Sequence, residues 1–252
     1  MVALMPITSP ILSVIVPCLD EAAGLAELVA RVGGVLEQGL PPGVEGELVL
    51  VDDGSRDETW ATMSLLQARH PWLRLGRHAR RAGIPAAWRT GLGQARGSWV
   101  CVLDADLQYE PEEIPRLWRE QQRTGADVVQ GARAVRERPR DVRFLLSRGL
   151  SALLNAVFGM SLPDNKSGFF LCRREVLQDL LAFRESYRHW QCFVMVAAHR
   201  RGHRIHAIDT PFHPRRTGRS AFGRLGLGPA AAVALDLWSA LREYGPHRGE
   251  AR

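Results

Sequence analysis

Lysine is almost missing from this chain. Of 33 basic side chains in 252 residues only Lys166 is not arginine, and with 27 acids the net charge is +6. A GC-rich genome produces such a bias unaided, but its consequence is physical: phosphate meets guanidinium forks here rather than ammonium point charges. Cysteine is equally sparse. Cys18, Cys101, Cys172 and Cys192 are far apart, with no CxxC pair and no histidine pattern nearby. That spacing speaks against a metal or disulfide framework and for reduced, mostly buried thiols in a cytosolic protein. No stretch reaches the roughly 18 uninterrupted apolar residues that a membrane span needs. Residues 1–12 are apolar but lack a basic n-region and run directly into a predicted strand, so no signal peptide is read. There is no internal repeat and no low-complexity linker. A hydrophobic fraction of 46% with 24% charged residues excludes wholesale disorder and collagen-like repeats.

What the chain does have, in its first half, is alternation. Apolar runs at 11–17, 47–52, 72–76, 99–104 and 127–130 predict strands, and periodic segments at 25–36, 57–69, 85–95 and 111–123 predict helices. Ser55 or Asp57 is the expected N-cap of the second helix. Strand–helix alternation with continuously apolar strands predicts an α/β fold whose mostly parallel central sheet is flanked by helices. Ligands of such sheets bind beyond the carboxyl ends of the strands. Further helices are expected at 142–158, 173–181, 189–200 and 229–244, with strands at 168–172 and 204–208.

Three clusters of acids and small residues fall at predicted strand ends: Pro17 to Glu21, Asp52-Asp53-Gly54-Ser55, and Asp104-Ala105-Asp106-Leu107-Gln108. Carboxylates two residues apart on a tight turn can reach one cation. Such hard oxygen donors suit Mg²⁺ or Mn²⁺, and the Gln108 carbonyl could add a ligand. The rival reading is that Asp104 and Asp106 merely cap the helix beginning near Pro111.

The ordered set LSVIVPCLDE, VLVDDGSRDET, GSWVCVLDADLQ and DNKSGFFLCRREVL resembles family 2 glycosyltransferases with the GT-A fold, nearest to polyprenyl-phosphate sugar transferases of the dolichyl-phosphate mannose synthase type. The resemblance spans residues 11–223, which it implies to be the transferase domain, with residues 224–252 forming an amphipathic C-terminal helix and tail. It implies a nucleotide-sugar donor with Pro17 and Glu21 against the nucleotide, Asp53 on the base and Asp52 beside it. It implies Asp104, Asp106 and Gln108 as holders of the metal that bridges the donor diphosphate, and Arg133 and Arg215 as phosphate contacts. Ser167 and Gly168 would shape the acceptor side, and Ser220 belongs to the R-x-x-G-x-S stretch that Arg215 opens. The chain departs from the pattern at Leu19-Asp20, where relatives carry an aromatic residue and Asn. It departs again at Ala221, where a lysine is common, and around 190–193, where one branch carries a Glu. The Q-x-x-R-W motif of processive synthases is missing.

The acceptor can also be approached from what is absent. A sugar hydroxyl needs a general base, yet between Ser167 and Ile208 the only acids are Glu175, Asp179 and Glu185. A phosphomonoester needs none, being largely anionic at neutral pH, and Arg133, Arg148, Arg215 and Arg216 could guide it. This favours a polyprenyl-phosphate acceptor and a cytoplasmic protein peripherally associated with the cytoplasmic membrane. Segment 142–158 is either a core helix or an interfacial one. The C-terminal helix, with Trp238, leans toward membrane or partner contact. Two rivals stay open: transfer to a soluble hydroxyl or protein side chain with Glu185 or Asp209 as base, and a non-catalytic, basic, nucleic-acid-binding module. The acid-tipped strands speak against nucleic acid as a partner.

Overall fold

The computed structural model describes residues 12–134, 142–214 and 227–245. Arg215, Arg216 and Ser220 lie outside the described residues, as does Ala221. Seven strands form one sheet: β1 (Leu12–Cys18), β2 (Gly46–Asp52), β3 (Leu73–Arg77), β4 (Trp99–Val102), β5 (Val128–Arg133), β6 (Phe170–Arg173) and β7 (Ile205–Thr210). Their order is β3-β2-β1-β4-β6-β5-β7. All neighbours run parallel except β6, which is antiparallel to both β4 and β5. The helices are α1 (Leu25–Gly34), α2 (Thr59–Gln67), α3 (Ile84–Gln94), α4 (Ile114–Thr124), α5 (Val142–Phe158), α6 (Arg174–Leu180), α7 (Val194–Arg200) and α8 (Leu227–Tyr244).

Every central strand buries both of its faces, which is why no strand reads as alternating. Leu12, Val14 and Val16 of β1, Leu48 and Leu50 of β2 and Leu171 of β6 face a core built with α1, α2 and α4. Ile15, Val49, Val51, Val100, Phe170 and Cys172 face the opposite way, into a second core with α3, α6 and α7. Trp88 and Trp190, both fully buried, meet edge to face there at 5.9 Å, and Trp88 meets Phe170 likewise at 5.7 Å. All four cysteines are free and buried. Burial pushes each thiol's pKa up, that of Cys192 to about 12.

Two sequence expectations change at helix starts. The second helix begins at Thr59 with Glu58 as its N-cap and no side-chain cap, instead of Ser55 or Asp57. Asp57 still serves the helix, because its carboxylate accepts the Thr59 amide at 3.0 Å. The helix expected from 189 is preceded by a 3₁₀ turn, Trp190–Cys192, and begins at Val194.

The C-terminal helix docks through its acids. Asp236 is 2% exposed and accepts the Arg188 and His189 amides, each at 2.8 Å. Glu243 accepts those of Arg184 and Glu185 at 2.8 and 3.0 Å. Ala240 and Tyr244 enter the second core. Truncating Asp236 to alanine strips the charged acceptor from two amides at once. The expected loss is about 3 kcal/mol of stability, read as a fall of roughly 6–12 °C in Tm.

Candidate active site

The carboxyl ends of β2, β1 and β4 are adjacent, so their acidic tips gather at one edge of the sheet. The β1 and β2 tips are laced together. The Asp20 amide donates to Ser55 Oγ at 3.0 Å, the Arg56 amide to Asp20 Oδ1 at 2.8 Å, and the Glu21 amide to Thr59 Oγ1 at 2.9 Å. Asp57 closes the lacing by accepting from Ala22 as well as Thr59. Burial alone would raise the Asp57 pKa, but the bonds from Thr59 and Ala22 outweigh it and hold the carboxyl below its usual range. Asp20 has φ +55, a left-handed conformation that Asn and Asp tolerate best. Aspartate in place of the family's Asn therefore keeps both the backbone shape and a side-chain acceptor.

Asp52 is fully buried, accepts the Ser55 amide at 2.9 Å and lies 3.3 Å from Arg77 Nε. Asp53 holds a neighbouring loop. Its Oδ1 takes the Ala82 amide at 2.8 Å and contacts His78 Nδ1 at 2.7 Å, and its Oδ2 takes the Gly83 amide at 2.9 Å. That loop passes so close to Gly54, itself at φ +76, that a side chain there would strike the Arg80–Arg81 backbone within 2.6 Å. Pro17 is half-buried and Glu21 buried at the same edge. The loop function of Asp53 has no signal in the sequence, since its partners lie 25–30 residues away.

In the third tip, Asp106 Oδ1 accepts the Gln108 amide at 3.1 Å. Leu107 between them sits at φ +54, a conformation that costs about 1 kcal/mol in a residue with a Cβ and turns the chain sharply. Neither aspartate caps the helix that follows: the turn at Pro111–Glu113 has Glu110 as its N-cap and α4 has Glu113, both without side-chain caps. The capping reading is thereby set aside. Gln108 donates from Nε2 to the His213 carbonyl at 3.0 Å and accepts the His213 amide at its own carbonyl at 2.8 Å. The third tip is thus strapped to the segment just before Arg215.

Because β6 runs antiparallel, its beginning lies at this same edge. Gly168 packs against Asp104: a methyl on its Cα would lie 3.3 and 3.4 Å from the two carboxylate oxygens. Glycine thus brings the chain close to Asp104 without crowding its carboxylate, and Asp104 and Asp106 are hard oxygen donors of the kind that suit a small divalent cation. Gly168→Ala is expected to lower transfer by about tenfold or more by filling this space, with Tm little changed; rate assays and melts on the purified variant check it. Ser167 turns inward, its buried hydroxyl accepting from Tyr109 at 2.8 Å and donating to the Gly131 carbonyl, so it shapes the site through the backbone.

Arg133 closes the edge. It forms a bidentate pair with Asp164 (Nε–Oδ2 2.5 Å, Nη2–Oδ1 2.7 Å) and lies over the Phe212 ring at 5.3 Å. Burial would discharge the guanidinium, but the bonds and charge of Asp164 outweigh it and its pKa is raised. Burial would likewise raise Asp164, and Arg133 instead holds it low. Asp164, the first residue of the DNKSG segment, is a site residue that sequence reasoning missed.

Of the acids expected to compete as general bases, Asp209 lies at this edge, on β7 in register with Ala132, and the others stand elsewhere. Glu175 and Asp179 lie on α6, which follows the far end of β6 beside Ser98, at the opposite edge of the sheet. Asp179 pairs with Arg201 and His203, and Glu185 with Arg242 at 2.7 Å.

This architecture is the GT-A-like α/β fold of glycosyltransferases. The crystal structure of glucosyl-3-phosphoglycerate synthase from Mycobacterium tuberculosis with Mn²⁺, UDP and glucosyl-3-phosphoglycerate matches it with a TM-score of 0.68 at 21% identity, covering 95% of this chain and 82% of that one. The same enzyme with Mg²⁺ and UDP gives the same TM-score, identity and coverage. At that identity the likeness speaks to the fold alone. The family model "Glycosyl transferase family 2" matches residues 13–181, and the chain belongs to that family. A dolichol-phosphate mannosyltransferase of Pyrococcus furiosus is 34% identical over 66% of this chain and 47% of its own length. A dodecaprenyl-phosphate galacturonate synthase of Rhizobium johnstonii is 29% identical over 94% of this chain and 68% of its own. An undecaprenyl-phosphate 4-deoxy-4-formamido-L-arabinose transferase of Pseudomonas aeruginosa is 37% identical over 71% and 52%. The chain thus spans about half the length of two of these relatives and about two thirds of the third.

Proposed function

We propose that this protein transfers a sugar, with inversion, from a nucleotide-sugar donor to a polyprenyl phosphate. The observation that carries the acceptor reading is the buried guanidinium of Arg133 at the edge that bears Asp104. Glu175 and Asp179 stand at the opposite edge of the sheet and Glu185 is paired with Arg242, while Asp209 sits on β7 in register with Ala132, its carbonyl taken by Arg116. A nucleophile arriving beside Arg133 meets a cation, which suits a phosphate that is already an anion. The polyprenyl-phosphate acceptors named for the relatives agree with this.

Asp104 and Asp106, with Gln108 beside them, would hold Mg²⁺ or Mn²⁺. A bound dication supplies positive charge against the departing nucleoside diphosphate. The laced tips of β1 and β2, with Glu21, Asp52 and Asp53, form the donor side, and the Asp53-held loop gives it a fixed wall. Arg133 spends Nε and Nη2 on Asp164, and in this reading Nη1 would serve a phosphate. Ser167 and Gly168 border the acceptor. Arg215 and Ser220 complete the phosphate contacts in this reading, and the enzyme works as a peripheral protein on the cytoplasmic side of the membrane.

Extraction tests the acceptor. With a radiolabelled nucleotide sugar and membrane lipids, the labelled product is expected to enter the organic phase and to be released by mild acid. Label confined to water-soluble or protein-bound product would instead favour the hydroxyl-transfer reading.

A further inference from the structure

The loop from β3 to α3 crosses the donor edge without an apolar anchor. Ala79, Arg80, Arg81 and Ala82 are all exposed, and a loop with so few buried contacts is ordinarily mobile. Its backbone is nevertheless tied at both ends. The His78 amide donates to the Asp52 carbonyl at 2.8 Å, and the Ala82 and Gly83 amides end on Asp53. Between these points the chain passes Gly54 so closely that no side chain would fit there.

One imidazole connects these bonds to the frame of the molecule. Asp53 is buried, and of the roughly four acceptor positions of a carboxylate three are filled, by Ala82 and His78 on Oδ1 and by Gly83 on Oδ2. A carboxylate only accepts, so His78 Nδ1 carries a proton and donates it. The other ring nitrogen, Nε2, meets Thr90 Oγ1 at 2.8 Å. Thr90 lies on α3 with its methyl against Gly76, where an added side-chain carbon would come within 2.8 Å of it. The next residue, Gly91, lets α3 press onto β1, for a methyl there would strike the Ile15 side chain. Thr90 therefore belongs to the packed body of sheet and helix, and His78 is the strut between that body and Asp53. A histidine bonded at both nitrogens can serve stability alone. What this one holds, however, is an exposed loop at the ligand edge and not a piece of the core.

We propose that His78 is a positioning residue for the nucleoside half of the donor: acting through Asp53, it sets the 79–83 backbone in its receiving form before the ligand arrives, so that the loop need not be ordered at each binding event. The proposal rests on the donor reading given above. Binding of UDP, GDP, CDP and ADP, each with Mn²⁺, and of inorganic pyrophosphate with Mn²⁺ is measured by titration calorimetry on the wild type, His78→Ala, His78→Asn and Thr90→Val. For the nucleoside diphosphate that the wild type binds best, His78→Ala is expected to bind about tenfold or more weakly, with its affinity for pyrophosphate unchanged. In turnover the same variant should raise KM for the nucleotide sugar by a like factor and keep kcat within about twofold. His78→Asn returns an amide donor to the position of Nδ1 and is expected to recover most of the affinity. Thr90→Val keeps a methyl against Gly76 but removes the hydroxyl, and is expected to lose about threefold to fivefold; it serves if His78→Ala does not fold. Equal nucleoside diphosphate affinity in wild type and His78→Ala overturns the proposal. So does a loss that pyrophosphate shares equally, which marks general damage to the site, or an asparagine variant no better than alanine. A wild type that binds pyrophosphate but none of the four nucleotides sinks the donor reading and the role of His78 with it, whereas nucleotide binding that all three variants retain sinks the role of His78 alone.

Discussion

Asp106→Ala should have no measurable transferase activity and a nearly normal melting temperature. Asp106 accepts the Gln108 amide within the turn, and losing one such bond costs about 1 kcal/mol, or roughly 2–4 °C in a protein of this size. Activity is different in kind, because a lone remaining carboxylate at Asp104 no longer forms the paired oxygen set that a dication needs. A second readout separates the two losses. In the wild type, Mn²⁺ should enlarge the thermal shift produced by the cognate nucleoside diphosphate, and in Asp106→Ala the nucleotide shift should no longer respond to the ion. A variant that keeps turning over, or keeps its Mn²⁺ response, would remove the 104–106 pair from the mechanism.

The second large effect is on stability. Asp164→Ala leaves the Arg133 guanidinium buried without its partner, and breaking a buried pair from one side costs about 3–5 kcal/mol. The expected fall in Tm is roughly 6–20 °C, well beyond that of Asp106→Ala. Removing both partners should be milder than the sum of the single losses, since no uncompensated charge is left. The pair also sets a pH dependence. Asp164 is depressed in the folded protein, so its contribution is complete above the ordinary Asp pKa of about 4 and is lost as pH falls through the folded value. Arg133 is raised and stays charged throughout. Acid melts of the wild type should therefore steepen below about pH 4, and those of Asp164→Asn should not share that steepening.

Elements were readable from sequence wherever period and punctuation agreed. The strands at 11–17 and 47–52 lie within one residue of β1 and β2 at each end, and the helix at 142–158 coincides with α5. The direction of β6 was not readable. A four-residue strand buried on both faces has the same apolar signature whichever way it runs. The three acidic tips were legible because they break apolar runs abruptly, and their convergence followed from parallel strand order alone. The clamp of Arg133 by Asp164, the grip of Asp53 on residues 82–83 and the strap from Gln108 to His213 join positions 29–105 residues apart. Pairings at such separations leave no local pattern. Segment 142–158 was read as either a core or an interfacial helix, and the helix buries Leu154 and Phe158 while exposing Leu145 and Leu153.

The reversed strand also governs the order in which the molecule can be put together. Strands β3, β2, β1 and β4 are mutual neighbours drawn from the first 102 residues, so that half of the sheet can close as soon as it is made. β5 is synthesised next, but among the described residues it pairs with β6 and β7 and with no earlier strand. The 36 residues 134–169 separate it from its first partner, and an unpaired apolar strand is an aggregation hazard for as long as it waits. When β6 arrives it zips both gaps together, and the same event carries Gly168 up against Asp104. Closure of the sheet and completion of the edge that bears Asp104 are thus one step in the birth of this protein.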